Sequence, residues 1–140
     1  MFVRRARPVF LFALAFAGRT VFTQSPAPPA PGVSVTYTEE QAARGGEVFG
    51  SICLECHGRK DMSNPDFKVK WGGRPVFELF ERIRSTMPES GPGSLARSQY
   101  LDVTAYIAKL NGLSAGDAEL PDDEAALKKQ VLAIAGGGGY

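Results

Sequence analysis

An all-α chain is predicted, with three to five helices, and three observations carry that prediction. A capping box, Thr38-x-x-Gln41, opens one helix: the Thr hydroxyl and the Gln side chain can satisfy free amides in its first turn. Apolar residues recur at helical spacing in Val76, Leu79, Phe80 and Ile83. They recur again in Tyr100, Val103, Tyr106 with Ile107, and Leu110. The 140 residues suit one domain once the ends are set aside.

The first segment, residues 1–25, reads as a secretory signal. Arg4, Arg5 and Arg7 precede a short apolar run, Val9 to Ala17, and Ala15-Phe16-Ala17 is an A-x-A-like cleavage site. A cut near Ser25 is the alternative. The run falls short of the roughly 20 residues that a membrane-spanning helix needs, and Arg19 interrupts its continuation. The competing reading is an uncleaved anchor. Residues 26–36 are rich in Pro and Ala and are expected to form an extended linker; no fold is expected from Gln24 to Val35. The domain then occupies residues 37–135, and 136–140 form a tail.

The first helix should run from Thr38 to about Gly50, with Ala42, Gly45 or Gly46, and Phe49 on one face. Each glycine costs the helix about 1 kcal/mol relative to Ala. A missing side chain also lets a second helix cross closely, and Phe49 one turn later favours that reading.

Cys53-Leu54-Glu55-Cys56-His57 follows, the attachment signature of a c-type haem. Two thiols three positions apart can each form a thioether to a porphyrin vinyl group. His57 then lies under the macrocycle with its imidazole aimed at iron. Both cysteines and the one histidine of the chain sit in this motif, so no other histidine is available as a distal ligand. Residues 58–73 are expected to be an irregular loop with a turn at Asn64-Pro65. A metal-bound imidazole usually donates its other N–H to a carbonyl. Pro65 is a candidate for that carbonyl, or simply a turn proline. Trp71 is a candidate for packing on the haem edge or donating to a propionate, or is a core residue. Arg74 is a candidate propionate partner, or a solvated arginine.

Pro75 suits the first position of a helix, and Val76 to Ile83 give that helix its apolar face. Met87 follows in a Pro/Gly-rich loop, MPESGPGS. Met62 lies too close behind His57 to cross to the opposite haem face, given a reach of about 3.3–3.6 Å per residue. Met87 has the chain length to do so, and is assigned as the distal ligand ahead of the core role that a lone Met usually has. The next helix should span about Ala96 to Leu110, with Asn111-Gly112 as its stop. Ser94 or Ser98 would have to cap it. Pro121 to Glu124 reads as the acidic start of a short helix reaching about Ala135.

Charge narrows the function. Without Arg4, Arg5, Arg7 and Arg19 the chain keeps 12 basic residues against 15 acidic ones, a net charge of −3. That disfavours a nucleic-acid surface and suits a protein partner with a complementary positive patch. A thiol oxidoreductase wants a βαβ setting, and the flanks of this motif read as helical. A structural zinc site wants four ligands, and this chain offers three adjacent ones.

Taken together, residues 38–112 resemble class I cytochrome c. The parts that match are the helix before Cys53-x-x-Cys56-His57, the Met87-Pro88 loop, and a last helix with aromatics whose Val103-x-x-Tyr106 faces Gly45-x-x-x-Phe49. The resemblance implies the cytochrome c fold around one covalent haem c, with His57 proximal and Met87 distal. Thr86-Met87-Pro88, Leu110-Asn111-Gly112 and Glu119-Leu120-Pro121 look similar to a narrower group, cytochrome partners of quinoprotein (PQQ) dehydrogenases. Ala96 departs from that group, which often has a capping Ser there. The resemblance implies a periplasmic or otherwise extracytoplasmic one-electron carrier, not an enzyme, with a dehydrogenase or terminal oxidase as partner and no membrane span after signal cleavage. The alternatives are a cytochrome subunit of a dehydrogenase or oxidase complex, and a haem-based sensor if Met87 is labile.

Overall fold

The computed structural model describes residues 33–136. The expected signal and most of the expected linker lie outside the described residues. The order of elements is β1 (Val33–Ser34), α1 (Glu39–Ser51), 3-10 turns at Cys53–Glu55 and Arg59–Met62, α2 (Pro65–Trp71), α3 (Val76–Thr86), α4 (Arg97–Leu110), α5 (Glu124–Lys129) and β2 (Gln130–Val131). The chain is mostly helical and has the cytochrome c fold, as predicted.

Helix α4 is the centre of the fold. Tyr100, Leu101, Val103, Thr104, Ala105, Ile107 and Ala108 are all buried, more than one apolar stripe would give. The cause is that α1 and α3 both pack on it. The α1–α4 crossing is as close as the glycines suggested. A Cβ on Gly45 would stand 1.9 Å from the Asp102 carbonyl oxygen. The Phe49 and Tyr106 rings meet one turn later with centroids 5.4 Å apart. Arg44 adds a polar clamp, donating from Nε and Nη2 to the Asp102 carboxylate at 3.2 and 3.0 Å and to Glu119 at 2.8 Å. These bonds, to Asp102 first and then Glu119, push the Arg44 guanidinium further above its already high range.

Helix α1 begins as expected, with Thr38 Oγ1 accepting from the Gln41 amide at 3.1 Å. The other half of the capping box is diverted. The buried Gln41 side chain instead accepts from the Leu120 amide at 2.7 Å, tying the C-terminal segment to α1. Helix α4 starts without either expected serine. Gln99 Oε1 reaches back to the Ala96 amide at 3.0 Å, so a residue inside the helix caps it. At its other end Gly112 has φ +80°, the left-handed conformation that ends a helix and that glycine adopts freely.

Three expectations are corrected. Residues 58–73 are not irregular: Asn64 Oδ1 accepts from the Phe67 amide at 2.8 Å and Pro65 takes the first turn, so the turn signal is a helix start. The final helix stops at Lys129 rather than near Ala135. Leu132 and Ile134 are buried around an exposed Ala133, the alternation of extended chain. The segment expected to lack structure up to Val35 is ordered from Val33. β1 pairs in parallel with β2, Val33 opposite Gln130 and Ser34 opposite Val131. The Val35 amide donates to the Val131 carbonyl at 3.0 Å, and Val35 and Tyr37 are buried. The same C-terminal segment stitches the α2–α3 junction, through Gly73 N to Leu132 O at 2.7 Å and Leu132 N to Arg74 O at 2.9 Å.

Candidate functional site

Cys53, Cys56 and His57 share one tight turn directly after α1. The Cys56 and His57 amides both donate to the Cys53 carbonyl, at 3.2 and 2.9 Å. Neither thiol is in a disulfide. Cys53 is half-buried against the core, and burial pushes its thiol up, toward the protonated form. Cys56 is exposed, and Leu54 between them is 37% exposed, an apolar side chain left at the surface. Among the described residues the strands are two residues long, so the turn has no βαβ setting. Among the described residues no group of three or more Cys, His, Asp or Glu side chains converges as a metal cage. The donor set suits a planar group anchored through both thiols with one imidazole toward its centre.

Met87 sits at the other end of the site's framework, as the residue that caps α3. Its amide donates to Ile83 O at 2.8 Å, and its carbonyl accepts from the Tyr100 hydroxyl at 2.8 Å. Met87 itself is half-buried. The segment after His57 is held by the same long helix. Arg59 Nε donates to the Tyr106 hydroxyl at 2.8 Å, and Asn111 Nδ2 donates to the Met62 carbonyl at 2.7 Å. Tyr100 and Tyr106 are about 9 Å apart along the α4 axis. One helix therefore fastens both the segment that follows the Cys/His turn and the methionine loop.

The remaining candidates lie elsewhere. Trp71, at the end of α2, is 7% exposed and packs in the core. Arg74 is exposed, stacks over the Trp71 ring at 5.1 Å, and donates to Glu78 at 2.7 Å. The two line a groove of about 470 Å³ with Lys70, Phe77 and Glu78. Pro65 stands in the first turn of α2. Tyr100 and Arg59 belong to no motif, and Tyr106 and Asn111 enter the sequence reading only as a helix-crossing contact and a helix stop, so the hydroxyl bonds of the two tyrosines go unread. Their one sequence signal is that a tyrosine on a buried helix face needs a partner for its hydroxyl.

Residues 40–107, which contain the turn, Met87 and most of α4, match a protein family described as Cytochrome C oxidase, cbb3-type, subunit III. The chain is also similar to Photosystem II extrinsic protein V of Synechococcus sp. (strain JA-2-3B'a(2-13)). It is 36% identical over 135 residues, covering 84% of this chain and 75% of that protein. The protein of the same name from Synechococcus sp. (strain JA-3-3Ab) is 35% identical over 110 residues, 66% of this chain, and the chain spans 60% of its length. No solved structure matches the chain significantly. These relatives are photosystem proteins, so the narrower likeness to partners of quinoprotein dehydrogenases rests on the loop residues alone.

Proposed function

The chain belongs to the cytochrome c family, with its Photosystem II extrinsic protein V relatives, and from that we propose that it is an extracytoplasmic one-electron carrier with His57 and Met87 as axial ligands. Its cofactor is one covalently bound c-type haem, and its role is electron transfer rather than catalysis. The haem iron supplies the Fe(III)/Fe(II) couple.

The chain's own residues have separable tasks in this reading. Cys53 and Cys56 tether the group through thioethers, and the turn that holds them sets their spacing. His57 donates one axial nitrogen, with the Pro65 carbonyl as the candidate acceptor for its other N–H. Met87 donates the thioether, a ligand choice that raises the potential relative to two imidazoles. Both axial positions are then filled by protein, so none is left for a substrate. Trp71 and Arg74 are kept as the proposed propionate contacts, Arg74 sharing its charge with Glu78. The observation that supports the reading best is the common fastening of the two segments. Tyr100 holds the Met87 loop, and Tyr106 and Asn111 hold the segment after His57.

Electrons would pass at the surface beside exposed Cys56 and Leu54. The net charge of −3 beyond the expected signal favours a partner with a positive patch. A dehydrogenase or a terminal oxidase remains the partner class proposed. A second reading, a cytochrome subunit of a larger complex, draws support from relatives named as extrinsic proteins of a photosystem. The export reading rests on residues 1–25. Among the described residues no helix is long and apolar enough to cross a membrane.

The test is expression with the intact N-terminus in a host that matures c-type cytochromes. The expected result is a c-type pyridine haemochrome, haem retained on a denaturing gel, and the weak far-red thioether-to-iron band. Met87→Ala should lose the band and lower the potential. A variant that kept both would refute the axial assignment. Loss of covalent haem in Cys53→Ser/Cys56→Ser checks the anchors. Elution with a stable partner would favour the subunit reading, and rapid ferrous carbon monoxide binding without denaturant would favour a sensor.

A further inference from the structure

We infer that Tyr100 is a positioning residue for the sixth iron ligand, its phenol fixing the backbone of Met87 and so the seat of the thioether. The inference rests on the reading of Met87 as that ligand.

Tyr100 is 1% exposed, in the first turn of α4. Its hydroxyl does two things at once. It donates to the Met87 carbonyl at 2.8 Å and accepts from the Leu95 amide at 3.3 Å. Met87 begins the connection between α3 and α4, and Leu95 nearly ends it. One oxygen thus ties both ends of the segment. What lies between is poorly held otherwise. Glu89, Ser90, Pro92, Gly93 and Ser94 are exposed and bury no large side chain. The bonds within the segment, Gly91 N to Pro88 O at 2.9 Å, Ser94 N to Gly91 O at 3.1 Å and a longer one from Gly93 N to Met87 O at 3.4 Å, shape it without attaching it to the rest of the fold. Among the described residues, the side-chain hydrogen bonds that reach Met87–Leu95 are the two made by Tyr100.

This arrangement bears on a thioether because such a ligand is neutral and exchangeable. Its hold on iron depends on how little freedom the backbone loses when it binds, which is pre-organisation. Cutting the tie between the Met87 carbonyl and α4, which leaves that carbonyl only the long bond from Gly93 within its own segment, should therefore weaken Met87 against an external competitor and leave the rest of the fold in place. A net hydrogen bond of ordinary strength corresponds to a change of roughly three- to tenfold.

The experiment titrates ferric holoprotein with imidazole and follows the far-red band in the unsubstituted protein, Tyr100→Phe and Tyr37→Phe. Tyr37 is the control because its hydroxyl donates to the Leu113 carbonyl and bonds neither the Met87 loop nor the segment after His57. Tyr100→Phe should keep the band without imidazole and lose it at a roughly three- to tenfold lower imidazole concentration. Tyr37→Phe should titrate like the unsubstituted protein. Equal behaviour of all three, or equal weakening in both variants, overturns the positioning role and leaves the ligand assignment standing. Absence of the band from the unsubstituted protein overturns the ligand assignment and this inference with it. A measurement that needs no variant covers failure of Tyr100→Phe to retain haem. Proton NMR of the ferrous protein should show a slowly exchanging Tyr100 hydroxyl close to the Met87 α-proton, and a hydroxyl in fast exchange with solvent overturns the inference.

Discussion

Replacing Gly45 by alanine tests the α1–α4 crossing. The new Cβ would lie 1.9 Å from the Asp102 carbonyl oxygen, 2.4 Å from its carbon and 2.9 Å from Tyr106 Cβ. Ordinary contact begins at about 3.4 Å, so the helices must part by about 1.5 Å. The obstacle is backbone in the middle of a helix and cannot swing aside as a side-chain tip would. Alanine also gains about 1 kcal/mol of helix propensity. Overpacking of a tight contact costs about 1–3 kcal/mol and more where the neighbour is rigid. Parting the helices also loosens the Phe49–Tyr106 contact beyond. The expected net loss is about 3 kcal/mol. At a guanidinium slope of about 3 kcal/mol/M, the midpoint falls by about 1 M. Two neighbours in α1 calibrate the reasoning. At Gly46 the Cβ meets the Tyr106 ring at 3.2 Å, a side chain that gives by a few tenths of an ångström, so Gly46→Ala should stay within about 1 kcal/mol of the parent. At Gly50 nothing lies within 4 Å, so Gly50→Ala should gain up to about 1 kcal/mol. Guanidinium unfolding of the ferric holoprotein, followed by far-UV circular dichroism, ranks the three. A Gly45→Ala protein as stable as Gly50→Ala would refute the account of the crossing.

Other perturbations have equally definite outcomes. Arg44→Met leaves the Asp102 carboxylate, 7% exposed, without its two charged donors and should cost about 2 kcal/mol in the same unfolding assay. Gln41→Ala orphans the Leu120 amide and should cost about 1–3 kcal/mol, with proteolysis beginning in the segment around Leu120. Burial chiefly, with Glu39 second, raises the Tyr37 phenol above its ordinary value of 10.0 while its hydroxyl donates to the Leu113 carbonyl. A raised acid is favoured in its neutral form, so Tyr37 contributes stability fully below pH 10 and loses it as pH climbs through the raised value. Denaturation midpoints of the ferrous protein should fall above pH 10, and Tyr37→Phe should flatten that fall; an identical fall in both would assign it elsewhere.

The sequence was most legible where chemistry or symmetry of pattern constrains it. The Cys53–His57 motif, the Thr38 cap, the glycine crossing and the three long helices all follow from local residue order. What stayed hidden were the partnerships between distant residues. Gln41 has the right spacing to cap its own helix, yet the buried amide of Leu120 takes its side chain in place of the half-buried one at the helix start. Asn64-Pro65 is equally good as a turn or as a cap followed by the first helical residue. Only the burial of Phe67 and Trp71 decides for the helix. The run from Val131 to Ala135 suits either period over so few residues, and its extended form depends on β1, nearly a hundred positions earlier. Tyr100 and Tyr106 were legible as apolar positions; the uses of their hydroxyls were not.

The pairing of β1 with β2 has a temporal consequence. A chain that emerges from its N-terminus presents Cys53, Cys56 and His57 long before it presents Leu132. The seam that joins Val35 to Val131 and Arg74 to Leu132 needs the stretch at and just after β2. Joining segments so far apart carries the loop-closure cost of a long-range contact. The architecture is therefore latched from β2, and the thiols spend the interval before β2 emerges on a chain whose outer seam is still open.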